Sequence, residues 1–221
     1  HQISAIYTHD TSLNLDQIHG KQLSYNNYND IYSALTISKS LPNNTGVVIV
    51  KHANPCGVSI KNDKIDCYHS ALACDPVSAF GGIVSCNFKV SSKLALELNK
   101  IFLEVIIANG FDINAIKILK KRKNIRIIDA TNFKLSNNFK FNSINNAVLI
   151  QNEDKIIFKK DNFKVVSKIK PTKKQMENLI FAFNVCRNVK SNAIVLAHNK
   201  TTVGIGSGQP SRLDSSEIAI K

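Results

Sequence analysis

Apolar and polar positions fall in short blocks along this chain, and the spacing within them switches repeatedly between strand-like and helix-like. The clearest block is Val47, Val48, Ile49 and Val50, an unbroken apolar run after the turn Asn43-Asn44-Thr45-Gly46. Such a run predicts a strand covered on both faces. It stops at Lys51 and His52, and Ala53-Asn54-Pro55-Cys56-Gly57 then predicts a polar loop broken by Pro and Gly. In α/β folds ligands bind in the crevice outside the carboxyl ends of the strands. Lys51 and His52 are therefore the first candidates for chemistry.

Other blocks place further elements. His1 to Ile6 is a short lead-in, and Gln22 to Asn29 reads as a polar loop. Asp30 can cap a helix running to about Ser40 through Ile31, Leu35 and Ile37. Asp63 or Asp66 opens a helix through Tyr68, Leu72 and Ala73, with Pro76 just beyond its end. Ala79 to Phe88 reads as a strand, and Ser91-Ser92 caps a helix through Leu94, Leu98, Ile101 and Phe102. Strands follow at Val105 to Ala108 and Ile125 to Ile128, with a helix at Ile113 to Lys121 between them. Ala147 to Gln151, Ile156 to Phe158 and Lys164 to Ser167 read as short strands of a meander. Thr172 and Gln175 form a capping box, opening a helix whose stripe of Met176, Leu179, Ile180, Phe183 and Cys186 is expected to be core. Asn192 to Ala197 and Thr201 to Gly206 read as strands and Leu213 to Ile220 as a helix. Helices alternating with short apolar strands predict a layered α/β fold. The Asn-, Ser- and Lys-rich stretch after Asp129 predicts a boundary, with a first subdomain over residues 1–130, a linker over 131–146 and a second subdomain over 147–221.

Composition narrows the class. The 221 residues suffice to bury a core, and no apolar run approaches the ~20 residues of a membrane helix. The N-terminus lacks a basic-then-apolar signal pattern. It also lacks Met, which predicts a fragment or a processed chain. The five cysteines form no C-x-x-C pair and are odd in number, which predicts neither a disulfide framework nor structural zinc and fits a cytoplasmic protein. A net charge of +13 raises nucleic acid as a partner. The lysines are scattered, however, and the densest run, Lys117 to Arg126, carries no interleaved aromatics and is expected to close a helix and face solvent.

Four ordered motifs carry a resemblance. Lys51 to Gly57 (KHANPCG), Ser78 to Gly82 (SAFGG), Ser191 to Ile194 (SNAI) and Gly204 to Arg212 (GIGSGQPSR) resemble elements of the aminoimidazole carboxamide ribonucleotide (AICAR) transformylase part of the bifunctional purine-biosynthesis family. The resemblance spans the chain and is weakest between about Asn132 and Lys170. It implies two cytidine-deaminase-like subdomains, layered α/β/α with mixed sheets. It also implies transfer of a formyl group from 10-formyltetrahydrofolate, a co-substrate, to AICAR ribonucleotide, by a cytoplasmic homodimer with shared sites. Neither nucleic acid nor membrane is implied as a partner. The family's cyclohydrolase domain, the residues before His1 that complete its RYGxNPHQ motif and its later segments are not within these residues.

The reaction needs a base for a weakly nucleophilic amine, stabilisation of a tetrahedral oxyanion, protonation of the leaving nitrogen and alignment of two substrates. His52 suits the base and Lys51 the developing charge. The resemblance implies these roles and adds Asn192 to the catalytic set, with Asn26, Phe80, Gly81, Glu104 and Arg212 binding substrate and Leu213 on the folate surface. Glu104 within Ile101-Phe102-Leu103-Glu104-Val105 also stands out unaided, as an acid in an apolar run. Arg212 offers a planar fork for phosphate or carboxylate, and the preceding glycine loop could hold an anion on backbone amides. Pro55-Cys56 after His52 admits a zinc-deaminase alternative, but Ser at 59 replaces the second cysteine and Asn at 54 the acid, so no metal is expected. A basic nucleic-acid-binding module is the other alternative.

Overall fold

A computed structural model describes residues 3–7, 13–135, 139–154 and 156–221. Residues 1 and 2 of the expected lead-in and 136–138 of the expected linker lie outside the described residues. Ten strands and six helices follow in the order β1 (Asp16–His19), α1 (Tyr25–Ser40), β2 (Gly46–Lys51), β3 (Asn54–Ile60), α2 (Lys64–Leu72), β4 (Gly82–Cys86), α3 (Ser92–Leu98), β5 (Leu103–Ala108), α4 (Ile113–Leu119), β6 (Arg126–Asp129), β7 (Phe139–Ile144), β8 (Ala147–Asn152), α5 (Lys173–Cys186), β9 (Ile194–His198), β10 (Thr201–Gly206) and α6 (Arg212–Ile220).

Eight strands form one mixed sheet in the order β1-β6-β5-β4-β2-β3-β10-β9. The pairs β4/β5 and β5/β6 are parallel and the others antiparallel. The apolar run of β2 sits inside this sheet. Val47 and Ile49 face the layer of α2, α3 and α4, while Val48 and Val50 face α1 and α5. Alternate side chains of one strand thus enter opposite cores, which is why no polar residue interrupts the run. The fold is the expected layered α/β/α arrangement. β9 and β10 extend the same sheet through β3, while β7 and β8 make a separate exposed hairpin.

Several elements depart from the sequence pattern. Helix α1 begins at Tyr25, so most of the expected Gln22–Asn29 loop is helical and Asp30 is not the cap. Ser24 caps it, accepting from the Asn27 N–H while the Asn27 side chain accepts from Ser24 N–H. An Asn does here what Glu or Gln does in the usual capping box, so the signal was hidden. The Asn54–Gly57 stretch is not a loop but the start of β3. Helix α3 ends at Leu98, leaving Ile101 and Phe102 outside it, and β4 is the middle of the strand expected over Ala79–Phe88. Ile156–Phe158 and Lys164–Ser167 are not strands. A 3-10 turn at Lys160–Asn162 lies between them, and the Asn184 side chain holds the backbone of Phe158 through both its N–H and its C=O.

The expected core stripe of α5 is also corrected. Its capping box is present, but Phe181, Val185 and Val189 enter the core, whereas Leu179 and Phe183 are 56% and 44% exposed. Helix α5 carries two adjacent apolar stripes, and the one of Phe181 and Val185, continued by Val189 just beyond the helix end, meets the sheet. Phe183 instead packs edge-on against Phe158 and Phe163. The basic run is not wholly solvated either. Arg122 donates to the carbonyls of Asn99 and Ile101, and Arg126 is paired with Glu104.

Candidate active site

The site is built at the carboxyl end of β2. Lys51 pairs with Asn54, so His52 and Ala53 alone form a two-residue hairpin turn into β3. Both have positive φ, 53° and 57°. Such turns usually carry Asn or Gly, because a Cβ in this region costs about 1–2 kcal/mol per residue.

Helix α1 grips the turn. The Asp30 carboxylate accepts the Ala53 N–H at 2.7 Å, and the Ser33 hydroxyl donates to the Ala53 carbonyl at 2.9 Å. Asp30 and Ser33, three residues apart, share a helix face. The Asn54 side chain closes the turn from below, donating to the His52 carbonyl at 3.1 Å. His52 is left exposed at the tip. Burial raises the Asp30 carboxyl above its ordinary value, opposed by the Ala53 N–H and by His52. The Glu104 charge adds to the rise, so one electrostatic neighbourhood holds all three residues.

Lys51 runs from β2 to the segment before β4, where its ammonium donates to the Phe80 carbonyl at 2.6 Å. Phe80 is 60% exposed and leans on Phe102, with ring centres 5.4 Å apart. Gly81 has φ of +74°, and its N–H donates to the Phe102 carbonyl at 2.8 Å. Glu104 lies two residues beyond Phe102, accepts from Asn27 at 3.0 Å and has Arg126 3.7 Å away. Asn26 is exposed in the first turn of α1, beside the Asn27 that makes this bond.

The loops flanking β9 and β10 close the other side. Lys190 N–H donates to the Asn54 side chain at 3.2 Å, and Gly208 N–H donates to the Lys190 carbonyl at 2.8 Å. The Asn192 side-chain nitrogen donates to the carbonyls of Gln209 and Pro210 at 3.0 and 2.7 Å. Its donors are therefore committed to the loop, and the amide oxygen is what remains to meet a substrate. Between these walls lies a cavity of about 640 Å³ lined by Lys51, His52, Asp75, Ser207, Gln209 and Lys221 among others.

Gly204 and Gly206 also have a packing reason to be glycine. A side chain at Gly204 or Gly206 would strike the carbonyls of Ala219 and Ser215, so these glycines let α6 lie directly on β10. Arg212 and Leu213 are exposed in the first turn of α6 and do not line the cavity. Cys56 does line it, yet burial, with Asp75 and Cys74 adding to it, pushes its thiol up to about 12. Metal ligation or nucleophilic attack needs the thiolate. Among the described residues no group of three or more His, Cys, Asp and Glu could hold a metal ion. The five cysteines are unpaired. None of the described helices is long and apolar enough to cross a membrane.

Of the expected site residues, Lys51 and His52 line this cavity, while Phe80, Gly81, Glu104 and Asn192 do not; Phe80 is joined to Lys51 by its carbonyl, and Asn192 holds the loop of Gln209, which does line it. A family model described as the AICARFT/IMPCHase bienzyme matches residues 1–221. The chain belongs to this family. Proteins named bifunctional purine biosynthesis protein PurH are similar to it. That of Persephonella marina is 46% identical over 206 residues, covering 92% of this chain and 39% of the relative. Those of Acetivibrio thermocellus and Staphylococcus aureus are each 43% identical, over 208 and 205 residues, covering 93% of this chain in both cases and 40% and 42% of the relative. The chain therefore spans about two fifths of the length of these bienzyme relatives.

Sequence reasoning missed Asp30, Ser33, Asn54 and Arg126 at this bienzyme-family site. Asp30 and Ser33 share a helix face only once α1 is seen to begin at Tyr25 rather than to be capped by Asp30. Asn54 was hidden by reading β3 as a loop.

Proposed function

We propose that this chain carries the formyl-transfer site of a purine-biosynthetic bienzyme, moving a formyl group from 10-formyltetrahydrofolate to AICAR ribonucleotide. Membership of the family supports the reaction class. The observation that carries the site is the His52–Ala53 turn, held at positive φ by α1 with Lys51 directed to Phe80 beside it.

His52, exposed at the tip, takes the proton of the attacking amine. Lys51 lies one residue away and its ammonium reaches the Phe80 carbonyl, where exchanging that carbonyl for a developing oxyanion would place a cation on the forming charge. Asn192 holds the Gln209-Pro210 loop against the cavity and offers its amide oxygen to a substrate N–H. The Phe80 face suits stacking on a heteroaromatic ring, Gly81 lets that ring approach the backbone, and Glu104 and Asn26 suit polar groups of the nucleotide. Arg212 and Leu213 are exposed outside the cavity, which fits sites shared between two subunits, with Arg212 holding an anionic substrate group and Leu213 meeting the folate. No metal is required for this chemistry.

The test is tetrahydrofolate release by the full-length protein. Release is expected only with both substrates present, and a folded protein that releases none would contradict the reading.

A further inference from the structure

Asp30 has no role in the chemistry described so far, yet its carboxylate sits against the turn that carries the base. Its position is unusual for a helix surface acid. It accepts the Ala53 N–H at 2.7 Å, and the neighbouring Ser33 holds the carbonyl of the same residue. No cation is recorded pairing with it among the described residues. A half-buried carboxylate without a cationic partner normally costs stability. A neutral acceptor would also satisfy the Ala53 N–H, though less strongly, so the hydrogen bond does not by itself require a charged residue here.

We infer that Asp30 is a positioning residue for the base, fixing the His52–Ala53 turn and supplying the negative charge against which the His52 imidazolium forms. The inference rests on the formyl-transfer reading. When His52 accepts the proton of the amine it becomes a cation, and the charge of Asp30 becomes its counter-charge. A carboxylate held rigidly by a backbone amide provides this without reorganising during the reaction. His52 is near enough for its charge to act on the Asp30 carboxyl. The other charged groups are Lys51 from β2, Asp75 from the segment after α2 and Lys221 at the end of α6, which line the cavity with the base, and Glu104 from β5, whose charge acts on Asp30. Lys51 and Lys221 oppose the formation of an imidazolium. Asp75, which lines the cavity, and Asp30, which does not, offset them.

The two parts of this role separate in two variants. Asp30→Asn keeps an oxygen for the Ala53 N–H and removes the charge, while Asp30→Ala removes both. The full-length wild type, both variants and His52→Ala are compared by kcat, KM for the nucleotide and the pH dependence of kcat. Asp30→Asn is expected to lose about tenfold in kcat, with KM changed less than threefold and the acid limb of the profile moved to lower pH. Asp30→Ala is expected to lose more. An Asp30→Asn protein with wild-type kcat and an unmoved acid limb would overturn the inference alone, even if Asp30→Ala were impaired. A wild type without formyl transfer would overturn the formyl-transfer reading, and this inference with it.

Discussion

His52 and Ala53 occupy a backbone region that suits Asn and Gly, and they are kept there by side chains of a helix that precedes them in the chain. Strain of this kind persists only where the surroundings over-determine it, and it gathers at functional sites. The residue that holds the turn is itself placed at a cost. The folded chain binds the proton of Asp30 more tightly than the unfolded chain does, because burial raises its carboxyl. Its contribution to stability is therefore fully present below the unfolded carboxylate range and is lost as pH rises through the folded value. At neutral pH the charge opposes folding. Asp30→Asn should be at least as stable as the wild type in urea unfolding at pH 7, with any advantage shrinking as the pH is lowered toward about 4. A variant less stable at pH 7 would show that the carboxylate serves the fold rather than the base.

At the scale of elements, α1 and α5 decide how the site is supported. Both cover the face of the sheet that includes Val48 and Val50. In α5 the pattern offered two apolar stripes, and periodicity alone cannot rank them when both are continuous. The packing gives unequal costs. Phe181→Ala removes a ring that is 6% exposed and should destabilise by about 3–5 kcal/mol, whereas Phe183→Ala should cost distinctly less, because that ring is 44% exposed among Phe158 and Phe163. Chemical denaturation of the two variants measures the difference directly, and equal losses would contradict the assignment of faces. The same comparison shows what the sequence made legible. β2 was readable because its apolar run has no competing interpretation. Lys51 and His52 were readable because they end that run, and the motifs Ser78–Gly82 and Ser191–Ile194 were readable by resemblance. The start of α1 was not, since Tyr25-Asn26-Asn27-Tyr28-Asn29 is poor in helix formers and relies on one reciprocal cap. β3 was not, since Pro55 and Gly57 are loop signals in sequence. Gly57 sits in the strand because a side chain there would strike the Ala71 carbonyl of α2.

Over the whole molecule, the sheet brings together segments that are far apart in sequence. The hairpin carrying Lys51 and His52 is flanked by β4 on one side and β10 on the other, so the Phe80 segment and the Gln209 loop meet at one end of β2 and β3. Thr202 fastens β10 to β3 through the Val58 N–H at 2.9 Å. Leu179, Phe183, Leu196 and Leu213 are exposed on α5, β9 and α6, toward the β9 edge of the sheet. The chain spans about two fifths of its bienzyme relatives, and activity is therefore to be measured on the full-length protein. The most direct measurement compares the wild type with His52→Ala for both nucleotide affinity and formyl transfer. The account predicts that affinity for AICAR ribonucleotide stays within about threefold while turnover falls by about 10²-fold or more, as loss of a general base requires. A folded His52→Ala protein with wild-type turnover would contradict it.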